Sequence, residues 1–227
     1  KELNDEFETI FDINMIIDKT DKDVDVPALR KQRIMYSKPD QDLVQSNRPA
    51  TKIHINDIFT DTNITLMKKA YRLTKTSPYY DEKDTNVCIH IRRGDIVKYG
   101  ENCVRFTNTD FFTDTIHKIH SLVPNCTFHV YSDSAITLNT TVENIQYHIN
   151  TDLLMTIHEM IKSDIFIMSI GSNLSQFAAL MTDGIVFLDK RKLVPCFNNN
   201  YNIYWAEHRN IITEEDEFLE KIMSTVC

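Results

Sequence analysis

From residue 86 onward, short apolar runs alternate with amphipathic segments of helical period, and this alternation constrains the fold more than any other feature. The apolar runs predict buried strands at residues 87–91, 127–131, 145–149, 164–168 and 185–188. The segments between and after them predict helices at residues 110–122, 152–162, 172–181 and 214–226, the third capped by Ser172 or Asn173. Strands that alternate with helices pair in parallel, so we predict an α/β protein with a doubly wound sheet and helices on both faces.

Residues 1–85 are more polar and less regular than the rest of the chain. One amphipathic helix is predicted within residues 56–75, with Ile58, Leu66, Ala70 and Leu73 as core contacts and Pro78 closing the segment. We therefore divide the chain into an N-terminal region, residues 1–85, and an α/β domain, residues 86–227. Because the chain begins at Lys1 rather than at Met, we expect further domains outside this segment.

Charge and composition narrow the classes of function. The net charge of −8 over 227 residues argues against nucleic acid as a partner, because that binding depends on neutralising phosphates. No apolar run reaches the roughly 18 residues of a membrane-spanning helix. The sequence also lacks the glycine-rich dinucleotide fingerprint, the P-loop and the nucleophile elbow of hydrolases.

The five cysteines are odd in number and fit no zinc or CxxC spacing. Buried free thiols are the favoured interpretation, and they indicate a reducing compartment. We accordingly predict a cytoplasmic protein. A location in the Golgi lumen is the alternative if a membrane anchor has been removed.

Three polar clusters follow predicted strands, at residues 92–95, 132–134 and 169–176. Ligands of a doubly wound sheet bind beyond the carboxyl ends of the strands. Paired arginines suit phosphate oxygens, and a helix start attracts anions. The clusters therefore predict a site for a phosphorylated ligand.

Structural roles are the alternative for each of these residues. Arg92 and Arg93 can be surface ion-pair partners, and His90 can be a core histidine. Asp133 can cap a helix, and Ser172 and Ser175 can be no more than helix-start residues.

Residues 90–95 (HIRRGD) resemble the His-x-Arg-Arg-x-Asp motif of the α1,2-, α1,6- and protein O-fucosyltransferases. Residues 130–133 (VYSD) are similar to the strand and Ser-Asp element of those enzymes, and residues 152–176 are similar to their helix, strand and serine-rich loop. The three elements occur in the family's order, and the resemblance covers about half of the chain, from residue 86 to residue 190.

The resemblance implies a GT-B-like glycosyltransferase with a Rossmann-like C-terminal donor domain and a short N-terminal acceptor-side domain. It implies inverting, metal-independent transfer of a 6-deoxyhexose, with fucose from GDP-fucose favoured, to a glycan acceptor, and no cofactor besides that donor. The catalytic residues it implies are Arg92, Arg93, Asp95 and Glu101. The donor-binding residues it implies are His90, Arg92, Arg93, Gly94, Asp133, Gly171, Ser172, Asn173, Ser175 and Gln176.

Three alternatives stay open at this point. One is a rhamnosyltransferase or another nucleotide-sugar transferase. A second is a binding module for nucleotides or glycans that has lost catalysis. The third is a metal-dependent transferase that uses the Asp-x-Asp patterns at residues 21–25 and 40–42, although these lie in strongly polar segments typical of solvated turns.

Overall fold

The computed structural model describes residues 61–71, 77–102, 106–169, 172–188 and 211–226. The chain divides into two compact units, Lys1–Thr74 and Lys75–Cys227. The described part of the first unit contains one helix, α1 (Asp61–Ala70), which lies inside the predicted segment 56–75. Ala70 is buried and Leu66 is half-buried, while Ile58 and Leu73 lie outside the described residues.

The second unit contains a six-stranded sheet in which every pairing of neighbours is parallel. Its strands are β1 (Thr85–His90), β2 (Cys126–Ser132), β3 (Ile145–Ile149), β4 (Ile165–Ile167), β5 (Ile185–Phe187) and β6 (Ile211–Ile212). Their order across the sheet is β3-β2-β1-β4-β5-β6, which is the order of a Rossmann-like fold. The predicted α/β class and parallel sheet are thereby confirmed. The short strand β6 was not predicted, because two residues carry no readable period.

Within the described residues, four α-helices accompany the sheet, and each corresponds to a predicted helix within a residue or two. They are α2 (Thr109–Leu122), α3 (Leu153–Lys162), α4 (Asn173–Met181) and α5 (Glu215–Thr225). The side chains of Asn108, Asp152 and Ser172 cap the first three by accepting a backbone hydrogen bond. Ser172 rather than Asn173 is thus the cap of α4. A 3₁₀ helix at Gly94–Asn102 follows β1 and was not predicted.

The two faces of the sheet are covered by different helices. The crossover from β1 to β2 contains α2, and the crossover from β4 to β5 contains α4. These crossovers run in opposite directions from the centre of the sheet, so their common right-handedness places the two helices on opposite faces. Helix α5 packs against α2, β5 and β6, whereas α3 packs against α4 and β1.

Alternation along the strands separates an apolar core from a more polar face. The apolar core lies on the α2 and α5 side, where the Phe187 and Phe218 rings stack with centroids 4.4 Å apart. Its strand and helix members include Val87, Ile89, Phe112, Ile116, Phe128, Val130, Ile165, Ile167 and Ile222. Cys88 and His90 alternate with the core residues of β1, and His129 and Tyr131 alternate with those of β2, so these four belong to the opposite face.

Cys88 and Cys126 are buried free thiols, as predicted, and the other three cysteines lie outside the described residues. Burial raises the pKa of Cys126 to about 11, which keeps this thiol protonated and unreactive at neutral pH. Among the described helices, none has the length and apolarity that a membrane crossing requires.

Candidate functional site

The strand order reverses direction at β1 and β4, which creates a crevice beyond their carboxyl ends. From β1 the chain proceeds to β2 on one side, and from β4 it proceeds to β5 on the other. The connections leaving β1 and β4 therefore diverge. This is the position where an open α/β sheet binds its ligands, and two of the predicted polar clusters begin here.

Ser169 joins the ends of the two strands. Its hydroxyl donates to the backbone oxygen of His90 at 2.6 Å and accepts from the backbone N–H of Arg92 at 2.8 Å. The side chain is buried, so both bonds are shielded from water. Ser169 lies in the predicted cluster at residues 169–176 but was given no role of its own, and its only signal was a serine close after a buried strand at the switch point.

His90 joins β1 to the first turn of α4. Its Nδ1 lies 2.5 Å from the Ser175 hydroxyl, and Ser172 Oγ accepts from the Ser175 backbone N–H at 3.3 Å. Both His90 and Ser175 are buried. Burial lowers the pKa of His90 to about 4; Arg92 also lowers this pKa, whereas the charge of Asp133 raises it. His90 is therefore neutral at pH 7 and pins the start of α4 to the end of β1.

Asp133 holds the arginine loop, which we define as residues 92–94. Directly after β2, its Oδ1 accepts from the backbone N–H groups of Arg93 at 2.9 Å and Gly94 at 2.7 Å. Gly94 has a φ of +24°, and a Cβ at this position would overlap Asp133 Oδ2. A glycine is therefore required here for both its conformation and its small size. These contacts give Asp133 a role in loop geometry, and the contact with the donor that the resemblance implies stays a prediction.

The guanidinium of Arg93 points into the protein and binds the backbone. Nη1 donates to the Arg92 carbonyl at 2.9 Å and Nη2 to the Thr107 carbonyl at 3.0 Å, while the Phe106 ring centroid lies 4.3 Å from Cζ. Arg93 is only 6% exposed. Burial lowers the pKa of its guanidinium, while the negative charge of Asp133 raises it. Arg93 is thus not a surface ion-pair partner. Nothing in the sequence signalled that Phe106 and Thr107 would receive it.

Arg92 keeps partial exposure next to this buried neighbour. Its backbone N–H is bound to Ser169, so the residue is fixed at the mouth of the β1–β4 crevice. Of the two arginines, Arg92 is the more exposed. A guanidinium near a helix start can bind the oxygens of a phosphate group.

The remaining predicted residues lie on the same two connections. The backbones of Asp95 and Glu101 belong to the 3₁₀ helix Gly94–Asn102, and Asn173 is the first residue of α4. Gln176 is half-buried in the first turn of α4, where its backbone N–H donates to the Ser172 carbonyl at 3.0 Å. Gly171 lies outside the described residues.

No group of three His, Cys, Asp or Glu side chains that could hold a metal ion occurs within the part of the chain that the structure describes. The Asp-x-Asp patterns at residues 21–25 and 40–42 lie outside that part.

Comparison with known proteins assigns this site to no family. The chain matches no family model, no curated protein and no solved structure. The likeness to fucosyltransferases therefore rests on the motif residues themselves, and the activity that it implies enters below as a proposal.

The neutral state of His90 makes the fold sensitive to acid. Its folded pKa of about 4 lies below the 6.5 of a free histidine, so the unfolded chain takes up the proton first. The stability contributed by His90 is present above pH 6.5 and is lost as the pH falls toward 4. We expect His90→Asn, whose amide can replace Nδ1 as the partner of Ser175, to remove up to about 3 kcal/mol of the decrease in unfolding free energy between pH 7 and pH 4.

Urea denaturation at pH 7.0, 5.5 and 4.0 measures this effect. His117→Asn, which changes an exposed histidine of α2, is the matched control and should follow the wild-type pH dependence. An unchanged acid slope in His90→Asn would show that the His90 contact with Ser175 survives protonation.

Proposed function

We propose that this protein is a metal-independent, inverting glycosyltransferase that moves a 6-deoxyhexose, with fucose from GDP-fucose as the favoured donor, to a glycan acceptor. One observation carries the proposal. The arginine loop and the start of α4 meet at the switch point of a parallel sheet, joined by Ser169 to His90 and by His90 to Ser175. We further propose that this half of the molecule is the donor domain of a GT-B-like architecture.

The chemistry of transfer suits this arrangement. When an acceptor hydroxyl attacks the anomeric carbon, the bond from that carbon to the diphosphate breaks and negative charge accumulates on the departing phosphate. Arg92 and the positive end of the α4 dipole can stabilise this charge, because both are held in place before the reaction. The acceptor proton passes to a carboxylate, for which Asp95 and Glu101 are the candidates.

In this proposal the two arginines of the motif have different tasks. Arg92 contacts the diphosphate, while Arg93 acts as a positioning residue by binding the carbonyls of Arg92 and Thr107. Asp133 completes the support by holding the Arg93 and Gly94 amides. Because these contacts fix Arg92 in advance, its guanidinium can stabilise the developing charge without moving during the reaction.

A thermal-shift panel of GDP, UDP and their sugars tests the proposed donor. We expect GDP and GDP-fucose to raise the unfolding temperature, because a ligand at about 100 times its Kd adds about 2.7 kcal/mol to the free energy of unfolding. UDP and UDP-glucose should raise it much less. A shift with UDP alone would reassign the donor, and no shift with any of these compounds would contradict the site.

Two further readouts separate the alternatives. Slow release of free fucose from GDP-fucose without acceptor indicates a transferase, whereas tight GDP binding without release indicates a binding module. GDP-rhamnose in the same assay distinguishes the two 6-deoxyhexoses. We expect activity to persist in EDTA. Loss of activity that Mn²⁺ restores would instead favour the Asp-x-Asp patterns.

A further inference from the structure

A second polar cluster lies on the α3 side of the sheet. It contains the titratable side chains of Cys88, His129, Tyr131, His148 and Glu159. Glu159 is 0% exposed, and Cys88, His129 and Tyr131 are also buried. The proposed transfer reaction uses none of these groups.

This cluster binds residues 77–80, the joint segment, which lies shortly after the division between the two units at residues 74 and 75. Ser77 Oγ donates to Glu159 Oε2, and Tyr80 Oη donates to the Glu159 backbone oxygen at 2.7 Å. Ser77 Oγ also accepts from the backbone N–H groups of Tyr79 at 3.0 Å and Tyr80 at 2.9 Å. One serine therefore connects the Glu159 carboxyl to the conformation of the joint segment.

Aromatic contacts also hold the joint segment against the histidines of the cluster. The Tyr80 ring lies 4.6 Å from the His129 ring, and the Tyr79 ring lies 4.4 Å from the His148 ring. His129 Nδ1 and His148 Nε2 are 3.2 Å apart, and His148 stacks on Tyr131 at 4.5 Å. The joint segment thus covers an imidazole pair as well as a carboxyl group.

The environment of Glu159 suits a carboxylic acid better than a carboxylate. Its Oε1 is buried without a hydrogen-bond partner in the described part of the protein. Among the described residues, the titratable groups found to interact with it are Tyr80 from the joint segment, Cys88 from β1 and Tyr131 from β2, and none of these three is a cation. Burial accordingly raises the pKa of Glu159 to about 7, against the opposing hydrogen bond from Ser77.

We propose that Glu159 is a proton-dependent latch: loss of its proton leaves a buried charge beneath the joint segment, which disfavours the closed form and releases the segment. A buried carboxylate with a single hydroxyl donor is costly, and opening the segment lets water reach it. The segment belongs to the second unit, where these hydrogen bonds hold it against α3. Solution pH therefore controls how firmly the joint segment is held against the sheet.

The direction of the pH effect follows from the raised pKa. The closed form binds the Glu159 proton up to about pH 7, whereas a hydrated carboxyl loses it near its usual value of 4.5. The latch is therefore strongest below pH 4.5, and its contribution is lost as the pH rises through 7. His129 and His148 act with the opposite sign, because burial lowers the pKa of each, His129 to about 4, and acid favours their hydration.

Hydrogen–deuterium exchange of the Tyr79 and Tyr80 amides at pH 6 and pH 8 isolates the Glu159 contribution. Glu159→Gln keeps an acceptor for Ser77 and cannot ionise, while it leaves both histidines in place. After correction for intrinsic exchange rates, the ratio of protection in Glu159→Gln to protection in the wild type should rise about tenfold from pH 6 to pH 8. Amides of α2 should show a constant ratio. A constant ratio at Tyr79 and Tyr80 would overturn the latch.

An NMR titration of the wild-type protein tests the latch without any variant, so its result does not depend on whether Glu159→Gln folds. The Glu159 carboxyl ¹³C resonance and the Tyr79 and Tyr80 amide resonances are followed through one pH series. We expect all three to change with a shared midpoint near pH 7. Tyrosine amides that do not respond while Glu159 titrates would also overturn the latch. Neither experiment uses a nucleotide, so the outcome is independent of the proposed transferase activity.

Discussion

Arg92→Ala is expected to lower the rate of GDP-fucose cleavage by about 10²- to 10³-fold while the unfolding temperature stays within a degree or two of the wild type. In the proposed mechanism Arg92 stabilises charge that develops on the departing diphosphate, so its loss acts mainly on the transition state. Its side chain is partly exposed, and its backbone bond to Ser169 does not depend on the side chain. Donor-hydrolysis kinetics and thermal unfolding on the same samples measure both quantities.

Three further variants test whether the loss of activity is specific to the Arg92 guanidinium. Lys118→Ala removes one positive charge from an exposed ion pair with Glu215 and should leave cleavage unchanged. Arg92→Lys keeps the charge without the planar fork and should recover only part of the activity. Arg93→Ala should lower the unfolding temperature as well, because it breaks two bonds to backbone carbonyls. Full activity in Arg92→Ala would remove the basis of the donor-site assignment.

Gly94→Ala is expected to lower the free energy of unfolding by about 2–3 kcal/mol and to reduce GDP affinity together with it. A left-handed φ is strained for alanine, and the added Cβ overlaps the Asp133 carboxylate that holds the Arg93 and Gly94 amides. The substitution therefore displaces the arginine loop as well as straining it. Urea denaturation and calorimetric titration with GDP measure the two effects.

A double-mutant cycle with Asp133→Ala tests the pathway of the Gly94 effect. If Gly94→Ala acts through Asp133, the loss of stability in the double variant is smaller than the sum of the two single losses, because the same two hydrogen bonds cannot be lost twice. Additive losses would show that the alanine strains its own backbone without disturbing Asp133. Unchanged GDP affinity in Gly94→Ala would contradict the role of the loop in binding.

The α/β class and the main elements of the sheet domain could be predicted from the sequence because their signals are local. Each buried strand is a short apolar run, and each α-helix has a polar residue at its start and an apolar face of helical period. The hydrophobic pattern did not predict the elements that are short or irregular. Strand β6 has two residues, and the 3₁₀ helix Gly94–Asn102 lacks an extended period.

Only part of the candidate site could be predicted from the sequence. Residues after β1, after β2 and at the start of α4 were identified because such positions converge at one edge of a parallel sheet. Phe106 and Thr107 were missed, and Ser169 was identified only as a member of the cluster at residues 169–176, since their roles depend on partners distant in sequence or on a backbone carbonyl. Glu159 gave no signal either, because its properties come from burial beneath residues 77–80.

By itself, the sequence determined which residues leave the strands and begin the helices, because hydrophobic period and capping depend on near neighbours along the chain. Only the tertiary structure decided what the adjacent Arg92 and Arg93 do. They are chemically identical, but one is partly exposed beside the crevice while the other is buried against Phe106 and the Thr107 carbonyl. The cost of burying a guanidinium, and the backbone oxygens that offset it, are set by the packing of distant segments.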